Sequence, residues 1–176
     1  CEQHSYLSLK PIGDANVYLN SEEEYVFFSK KAASKTIQQQ PQEAFCQTVC
    51  FLQNYVDKLY ELRITVCCED IVACKIDSQI QKDNTGKIDW RQGYGHDLKH
   101  EIVILPEEIQ TFCRKFLKQM NLNFGCFDFI VTPDNKYVFL ECNPNGQWMW
   151  IELMTGYDIS YMIAHNLEKK KKKKKN

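Results

Sequence analysis

The chain has 176 residues, of which 44% are apolar and 26% are charged, a balance typical of a soluble globular protein. Of its 22 basic residues, seven form one run at 169–175, which leaves 15 basic against 23 acidic residues in the rest of the chain. A body this acidic argues against a general nucleic-acid binder, which would spread positive charge over one face. No apolar stretch reaches the roughly 18 residues that would span a membrane.

The length fits one domain, which we predict over residues 1–168. Because the chain begins with Cys1 rather than Met, we expect its natural start to lie elsewhere. The lysine-rich segment 169–176 is predicted to be a disordered tail. That tail is either merely solvated or contacts an anionic partner.

In the first half of the chain, short apolar and β-branched runs predict strands. They lie at 6–12, 25–29, 48–55, 60–67 and 71–76, the last two as a hairpin. Residues 30–44 are polar and contain Pro41, so we predict a loop there. Residues 78–100 read as a long glycine-containing loop, which could close over a functional site and exclude water.

Two helices are predicted in the second half. One begins after Pro106 and presents an apolar face that includes Phe112 and Phe116. We expect this face to pack on an antiparallel sheet formed by residues 6–77 and 126–143. The other helix begins after Asp158, a residue suited to an N-cap.

The nine cysteines are an odd number, and several fall inside apolar runs. Cys46 and Cys50 have the spacing of half a zinc site, but no matching pair follows. We therefore expect reduced thiols in a core, with metal or disulfide chemistry as the alternative. Reduced thiols indicate a cytoplasmic protein.

The segment 127–146 predicts a β-hairpin that carries acidic residues on one face. With Asp134 and Asn135 as a two-residue turn, Asp128 lies opposite Glu141, and Ile130 opposite Phe139. Side chains alternate along strands, so Asp128, Glu141 and Asn143 share one face, and Phe127, Phe129, Val131, Val138, Leu140 and Cys142 share the other. Two carboxylates and a carboxamide predict a magnesium site. The alternative is a pair of solvent-facing acids on an edge hairpin.

Asp128 and the stretch FLECNPNGQW at 139–148 resemble the metal-binding end of ATP-grasp ligases. The longer stretch NPNGQWMWIE at 143–152, followed by Thr155-Gly156, resembles the microviridin or graspetide ligases, including those of grasp-with-spasm gene clusters. The resemblance implies an α+β ATP-grasp fold, a twisted antiparallel sheet with packed helices. It also implies that Asp128, Glu141 and Asn143 hold magnesium under the phosphates of ATP. We expect the chain to be the C-terminal ATP-grasp portion of a longer enzyme.

The resemblance continues upstream and assigns further roles. Lys10 matches the strand lysine that contacts the phosphates, and residues 53–56 match the hinge whose backbone contacts adenine: Gln53, Asn54, Tyr55 and Val56. Glu61 would lie near the ribose, Arg63 would point to the phosphates, and Lys75 lies on the partner strand. Arg91, in the sequence Asp89-Trp90-Arg91, would meet the transferred phosphate.

The implied activity is ATP-dependent ligation with ATP and magnesium as cofactors. A carboxylate of a precursor peptide becomes an acyl phosphate, and a hydroxyl or amine of the same peptide captures it as an ester or amide. One alternative is a ligase that adds amino acids to a peptide or protein C-terminus, and another is a non-catalytic remnant that binds nucleotide or peptide. The sequence does not determine the oligomeric state, and a homodimer is one alternative.

Several of these residues also have simpler interpretations. Lys10 would serve as an edge-strand lysine, Arg63 as half of a structural ion pair, and Arg91 as a side chain stacked on Trp90. Trp148 and Trp150 fit packing or a substrate wall better than chemistry. His96 and His100 are expected to face solvent, with an acid–base role as the alternative.

Overall fold

The computed structural model describes residues 5–11, 16–18, 24–26, 28–41, 43, 50–80, 86–93 and 98–173. The chain divides into two compact units: unit 1 comprises residues 1–57 and 81–97, and unit 2 comprises residues 58–80 and 98–176. The first boundary, between Asp57 and Lys58, falls one residue after the segment 53–56, which the resemblance assigns to a hinge.

The described strands of unit 1 form a three-stranded antiparallel sheet, with β1 at its centre, and a separate two-stranded sheet. The elements are β1 (Tyr6–Pro11), β2 (Asn16–Tyr18), β3 (Glu24–Val26), β4 (Lys30–Ala33), helix α1 (Ser34–Gln38) and β5 (Cys50–Asn54). β1 pairs with β4 on one side and β5 on the other, and β2 pairs with β3. The loop predicted at 30–44 is therefore wrong, because pairing with β1 draws 30–33 into a strand despite its polar composition.

Unit 2 contains an antiparallel sheet of five described strands in the order β10-β9-β6-β7-β8. These strands are β6 (Tyr60–Cys67), β7 (Asp70–Ile76), β8 (His100–Val103), β9 (Phe124–Val131) and β10 (Tyr137–Asn143). The predicted hairpin of β6 and β7 is confirmed. The single sheet predicted over 6–77 and 126–143 is wrong, since β1 to β5 and β6 to β10 belong to separate sheets. β8 begins at the last residue of the segment 78–100 that was predicted as a long loop, and that segment also contains short 3₁₀ helices at Ser78–Ile80 and Trp90–Gly93.

Helix α2 (Glu107–Gln119) covers one face of the unit 2 sheet, which we call the α2 face. Phe112 and Phe116 contact the rings of Phe127, Phe129 and Phe139 at centroid distances of 5.5–5.8 Å. The predicted packing of this helix through Phe112 and Phe116 is thus confirmed. We call the opposite side of the sheet the Arg63 face, because Arg63 alternates with the buried Leu62 and Ile64 of the α2 face.

Phe139 was predicted on the acidic face and in fact lies on the α2 face. The turn has three central residues, with Asn135 at φ 59°, so Tyr137 pairs with Val131 and Phe139 with Phe129. A β-bulge at Leu140 then shifts the register by one, and Glu141 pairs with Asp128. The two irregularities cancel beyond the bulge, which is why the predicted Asp128–Glu141 pair is correct while the predicted Ile130–Phe139 pair is wrong.

Two helices follow β10: α3 (Met149–Thr155) and α4 (Ile159–Lys173). α3 ends at Gly156 in the left-handed conformation (φ 71°), and Asp158 caps α4 by accepting the N–H of Tyr161 at 2.7 Å. α4 continues into the lysine run as far as Lys173, and residues 174–176 of the tail predicted to be disordered lie outside the described residues. Lysine is a good helix former, and its charge is favourable at a helix C-terminus.

The predicted α+β class, antiparallel sheets with packed helices, is confirmed. Six cysteines are free thiols: Cys67, Cys68, Cys74, Cys113, Cys126 and Cys142. No helix in the described part of the chain is long and apolar enough to cross a membrane.

Candidate functional site

Three charged side chains form one row across neighbouring strands of unit 2. Arg63 on β6 pairs in register with Asp128 on β9, and Asp128 pairs with Glu141 on β10. Directly opposed residues of antiparallel strands share a face, so all three side chains lie on the Arg63 face. The fold thus brings together one cation and two carboxylates that are distant in sequence.

Arg63 is fixed in this row by hydrogen bonds. Its Nη1 donates to both carboxylate oxygens of Asp128 at 2.9 Å, and its Nη2 donates to the carbonyl of Gln147 at 3.1 Å. Among the described residues its buried Nε has no hydrogen-bond partner. Burial alone would lower the pKa of Arg63, but the charges of Asp128 and Glu141 outweigh it and raise that pKa above its ordinary value. The predicted alternative, a structural ion pair, is therefore present, and it is made with a candidate metal ligand.

Glu141 and Asn143 are exposed at the end of β10, and Asp128 is half-buried beside them. Asn143 lies two residues beyond Glu141 on the same face, and its Oδ1 accepts the N–H of Asn145 at 2.8 Å. No group of three His, Cys, Asp or Glu side chains in the described residues forms a metal cage. Two carboxylates and a carboxamide instead fit magnesium, which takes few protein ligands and completes its shell with water and substrate phosphates.

The loop after β10 approaches this row closely at Gly146. A Cβ on Gly146 would lie 2.9 Å from the Sγ of Cys126 and 3.0 Å from the Nη2 of Arg63. The carbonyl of Gly146 accepts from Cys126 Sγ at 3.4 Å. A side chain at position 146 would therefore push the loop away from Arg63 and weaken the hydrogen bond that Arg63 donates to the carbonyl of Gln147. Gly146 belongs to the stretch that resembles the ATP-grasp ligases, but its close approach to Arg63 was not predicted. The available signal was its position two residues before Trp148 in a loop that follows a strand.

Glu61 lies on the Arg63 face, but its carboxylate is engaged. It forms a buried ion pair with Lys58, three residues earlier, and accepts the hydroxyl of Ser78 at 3.0 Å. The side chains of Lys58 and Glu61 are 4% and 10% exposed. The i, i+3 spacing of Lys58 and Glu61 was visible in the sequence, but their burial was not.

Lys75 lies on the other face of the sheet. It pairs with Leu62, and its Nζ lies 3.1 Å from Asp77 and 4.8 Å from the ring centroid of Tyr60. The structure thus does not bring Lys75 to the face that carries Arg63, Asp128 and Glu141.

In unit 1, Lys10 and Gln53 share a face of the sheet. Lys10 pairs with Phe51 and Gln53 with Ser8, whereas Asn54 lies on the opposite face. The N–H of Tyr55 donates to Tyr6 at 3.1 Å, and Val56 follows it. Lys31, which the sequence analysis missed, lies over the rings of Tyr55 and Tyr6 and 3.7 Å from Asp57.

Arg91 is paired with Asp89. Its Nε and Nη2 donate to the two oxygens of Asp89 at 2.8 and 2.6 Å. Burial alone would raise the pKa of Asp89, but the hydrogen bonds and charge of Arg91 and the N–H of Ser29 hold it below the ordinary value. Asp89 therefore stays ionised, and sequence reasoning missed its part in fixing Arg91.

His100 is half-buried rather than facing solvent. Its ring meets that of Trp150 edge-on at 5.6 Å, and within the described residues its buried Nε2 has no hydrogen-bond partner. Burial lowers the pKa of His100, and a hydrogen bond with the Leu98 backbone partly offsets that effect. His96 lies outside the described residues.

The structure resembles solved ATP-grasp ligases over nearly the whole chain. A Chryseobacterium gregarium RiPP-associated ATP-grasp ligase, in complex with ADP and a leader and core peptide, superposes with a TM-score of 0.82 at 28% identity, covering 95% of this chain and 49% of that one. The macrocyclase MdnC of Microcystis aeruginosa MRC, bound with precursor peptide MdnA, superposes with a TM-score of 0.72 at 29% identity, covering 94% and 48%. The ligase PsnB gives a TM-score of 0.63 at 16% identity, covering 93% and 46%.

The chain has the ATP-grasp fold. Its likeness to the RiPP-associated ATP-grasp ligases, predicted from the sequence, is confirmed by these structures. The chain spans about half the length of the ATP-grasp structures it matches. No family model matches the chain, and no curated protein does either.

Proposed function

We propose that the chain is the nucleotide-binding part of an ATP-dependent carboxylate ligase that forms intramolecular ester or amide cross-links in a ribosomal peptide. The row of Arg63, Asp128 and Glu141, in a chain with the ATP-grasp fold, is the observation that carries this proposal. The peptides bound to the two neighbours at 28% and 29% identity support a peptide as substrate.

The proposed reaction brings two anionic groups together, a peptide carboxylate and the triphosphate of ATP. A peptide carboxylate attacks the γ-phosphate of ATP, forming an acyl phosphate and ADP, and a hydroxyl or amine of the same peptide then displaces phosphate. Because attacker and triphosphate are both anionic, the barrier is largely electrostatic. Magnesium, held by Asp128, Glu141 and Asn143, would supply neutralisation of the phosphoryl oxygens and a template for them.

The protein's own residues divide the remaining work. Arg63 adds a fixed positive charge beside the metal ligands, and its hydrogen bonds to Asp128 orient that carboxylate. Arg91 meets the transferred phosphate. Within the proposal, the other nucleotide contacts follow the resemblance: Lys10 contacts the phosphates, the segment Gln53, Asn54, Tyr55 and Val56 contacts adenine, and Glu61 lies near the ribose. Lys75, which the resemblance also assigned to the nucleotide, lies on the sheet face opposite Arg63 and has no part in the proposal.

Mass spectrometry of a peptide product tests the proposal. The purified full-length protein is incubated with ATP, Mg²⁺ and a candidate precursor peptide rich in Thr, Lys, Asp and Glu, taken from a neighbouring gene. We expect a product lighter by one water per cross-link, with one ADP formed per ring. Arg91→Ala should slow product formation while ATP binding persists, whereas Arg114→Ala, a surface arginine on α2 that pairs with Glu69 and Glu107, should leave the rate unchanged.

Other outcomes would replace the proposal. A product heavier by one amino acid residue would indicate a ligase that extends a peptide or protein C-terminus. Nucleotide binding without any mass change, with a verified precursor, would indicate a non-catalytic remnant.

A further inference from the structure

A buried carboxylate in unit 1 has no part in the proposed chemistry. Asp89 is 5% exposed, and both of its oxygens are saturated with donors. Oδ1 accepts the Nε–H of Arg91 at 2.8 Å and its backbone N–H at 3.2 Å, and Oδ2 accepts Nη2–H of Arg91 at 2.6 Å and the N–H of Ser29 at 3.0 Å. Each oxygen of Asp89 thus accepts one hydrogen bond from a backbone N–H and one from the side chain of Arg91.

The geometry of the guanidinium determines how the hydrogen bonds to Asp89 orient the Arg91 side chain. Arginine presents its N–H groups in a rigid planar fork with two edges. The edge formed by Nε and Nη2 faces Asp89, so the edge that carries Nη1 is directed away from that carboxylate. The side chain of Arg91 is 48% exposed, so the guanidinium is not enclosed by the unit that holds it.

We propose that Asp89 is a positioning residue for Arg91, which it holds by one edge so that the other edge is presented to the phosphoryl group that the enzyme transfers. The inference rests on the proposed function and adds to it the residue that sets the orientation of Arg91. A pre-oriented guanidinium spends no rotamer entropy when the substrate arrives, so its hydrogen bonds act fully in the transition state. The ion pair also keeps Asp89 charged through the neutral pH range.

A purely structural role for Asp89 makes a different prediction. Asp89 also accepts the N–H of Ser29, so its loss could act by loosening the fold around residues 28–29. In that case its effect would be independent of Arg91. If Asp89 acts through Arg91, the effect of changing it disappears once Arg91 is absent.

A double-mutant cycle in the full-length protein separates the two roles. Asp89→Asn keeps the size of the side chain and an acceptor for Ser29, but it replaces one carboxylate oxygen by a donor. We expect kcat for peptide cross-linking to fall about 10- to 100-fold with little change in the KM for ATP. Asp89→Asn in an Arg91→Ala background should lower kcat by less than about twofold further. Asp134→Asn is the matched control, because Asp134 likewise pairs with a cation two residues later, Lys136, in an exposed turn, and it should behave as wild type.

The inference would be overturned if the fold losses in kcat of the two single variants multiplied in the double variant. Wild-type kcat in Asp89→Asn would also overturn it. If Asp89→Asn does not fold, Arg91→Lys takes its place, since lysine keeps the charge without the fork. Arg91→Lys must then lose kcat nearly as much as Arg91→Ala, and near-wild-type kcat would overturn the inference. Absence of cross-linking by the wild type would be a failure of the proposed function itself and is thereby distinguished from failure of the Asp89 role.

Discussion

Arg63 is the residue at which the sheet, the loop after β10 and the candidate metal ligands meet. Its guanidinium is bonded to Asp128 and to the carbonyl of Gln147, and 11% of its side chain is exposed. A buried ion pair is weak evidence for stability, since desolvation offsets most of the attraction between the charges. The arrangement makes better sense as a fixed positive charge beside Asp128 and Glu141, which would otherwise repel each other across the strands.

Gly146 and Gly156 should respond differently to substitution, which tests how closely the loop approaches Arg63. Gly146 has no room for a Cβ, whereas Gly156 has open space but a φ of +71°. Gly156→Asn should therefore cost little, because asparagine tolerates the left-handed conformation. Gly146→Ala should lower the free energy of unfolding by about 1–3 kcal/mol and reduce ATP affinity, because the loop must move away from Arg63.

Urea unfolding and nucleotide titration of the two variants measure this contrast. Equal stability losses for Gly146→Ala and Gly156→Asn, with unchanged ATP affinity in both, would contradict the close approach of Gly146 to Arg63.

At the residue scale, alternation along strands was sufficient to place some side chains and not others. Alternation placed Asp128 and Glu141 on the same face, because each strand has a buried face that fixes which side its acids take. Their direct pairing was predicted from an assumed two-residue turn and is correct because the longer turn and the bulge cancel. The pairing of Arg91 with Asp89 was missed because sequence gives no sign that Asp89 is buried. Lys75 was assigned to the nucleotide by resemblance, but alternation along β7 places it on the α2 face, opposite Arg63.

At the level of elements, the β9–β10 hairpin shows why register is hard to predict from a turn sequence. A left-handed Asn135 makes the turn one residue longer than the two-residue turn assumed, and the bulge at Leu140 restores the register. The strands β4 and β8 were missed for a different reason. Each is four residues long and gains its strand conformation from a neighbour in the sheet, which local composition does not reveal.

The three-residue turn between β9 and β10 decides which residue at the start of β10 supports the core. Phe139 contacts four phenylalanine rings on the α2 face, whereas Val138 points to the Arg63 face with Ile130. Phe139→Ala should lower the free energy of unfolding by about 3 kcal/mol, and Val138→Ala by about 1 kcal/mol. Denaturant unfolding measures both values. A larger loss for Val138→Ala would support the alternation predicted from a two-residue turn and contradict the three-residue turn.

The ion pair of Lys58 and Glu61 fixes the start of unit 2. Lys58→Met should cost about 3 kcal/mol or more, because it leaves the carboxylate of Glu61 buried without its cation. Lys99 and Glu101 form an exposed pair at 3.3 Å and give a matched comparison. Lys99→Met should cost less than about 1 kcal/mol. Similar losses for the two variants in thermal unfolding would contradict the buried state of the Lys58–Glu61 pair.

At the scale of the whole molecule, the ATP-grasp fold was recognisable from one short stretch, residues 139–148, together with Asp128. That stretch contains Glu141 and Asn143, which we propose as magnesium ligands, and chemistry restricts residue identity more tightly than packing does. The division into two units and the separation of the sheets had no comparable signal, because they depend on which strands pair over long distances in the chain. The chain covers 49% of the length of the Chryseobacterium ligase and 48% of that of MdnC. A nucleotide-binding test therefore reaches the account's central claim more directly than peptide turnover does.

The central claim is that Asp128, Glu141 and Asn143 hold magnesium beneath the phosphates of ATP, and a thermal shift assay tests it directly. A ligand that binds only the native state stabilises it by RT ln(1 + L/Kd), where L is the free ligand concentration, and thereby raises the melting temperature. In the purified full-length protein, we expect ATP with Mg²⁺ to raise the melting temperature more than ATP with EDTA does. Glu141→Gln should lose most of that magnesium-dependent increment, whereas Glu69→Gln, an exposed turn glutamate on the same unit, should keep it. Equal shifts with and without Mg²⁺ in the wild type, or an undiminished increment in Glu141→Gln, would contradict the account.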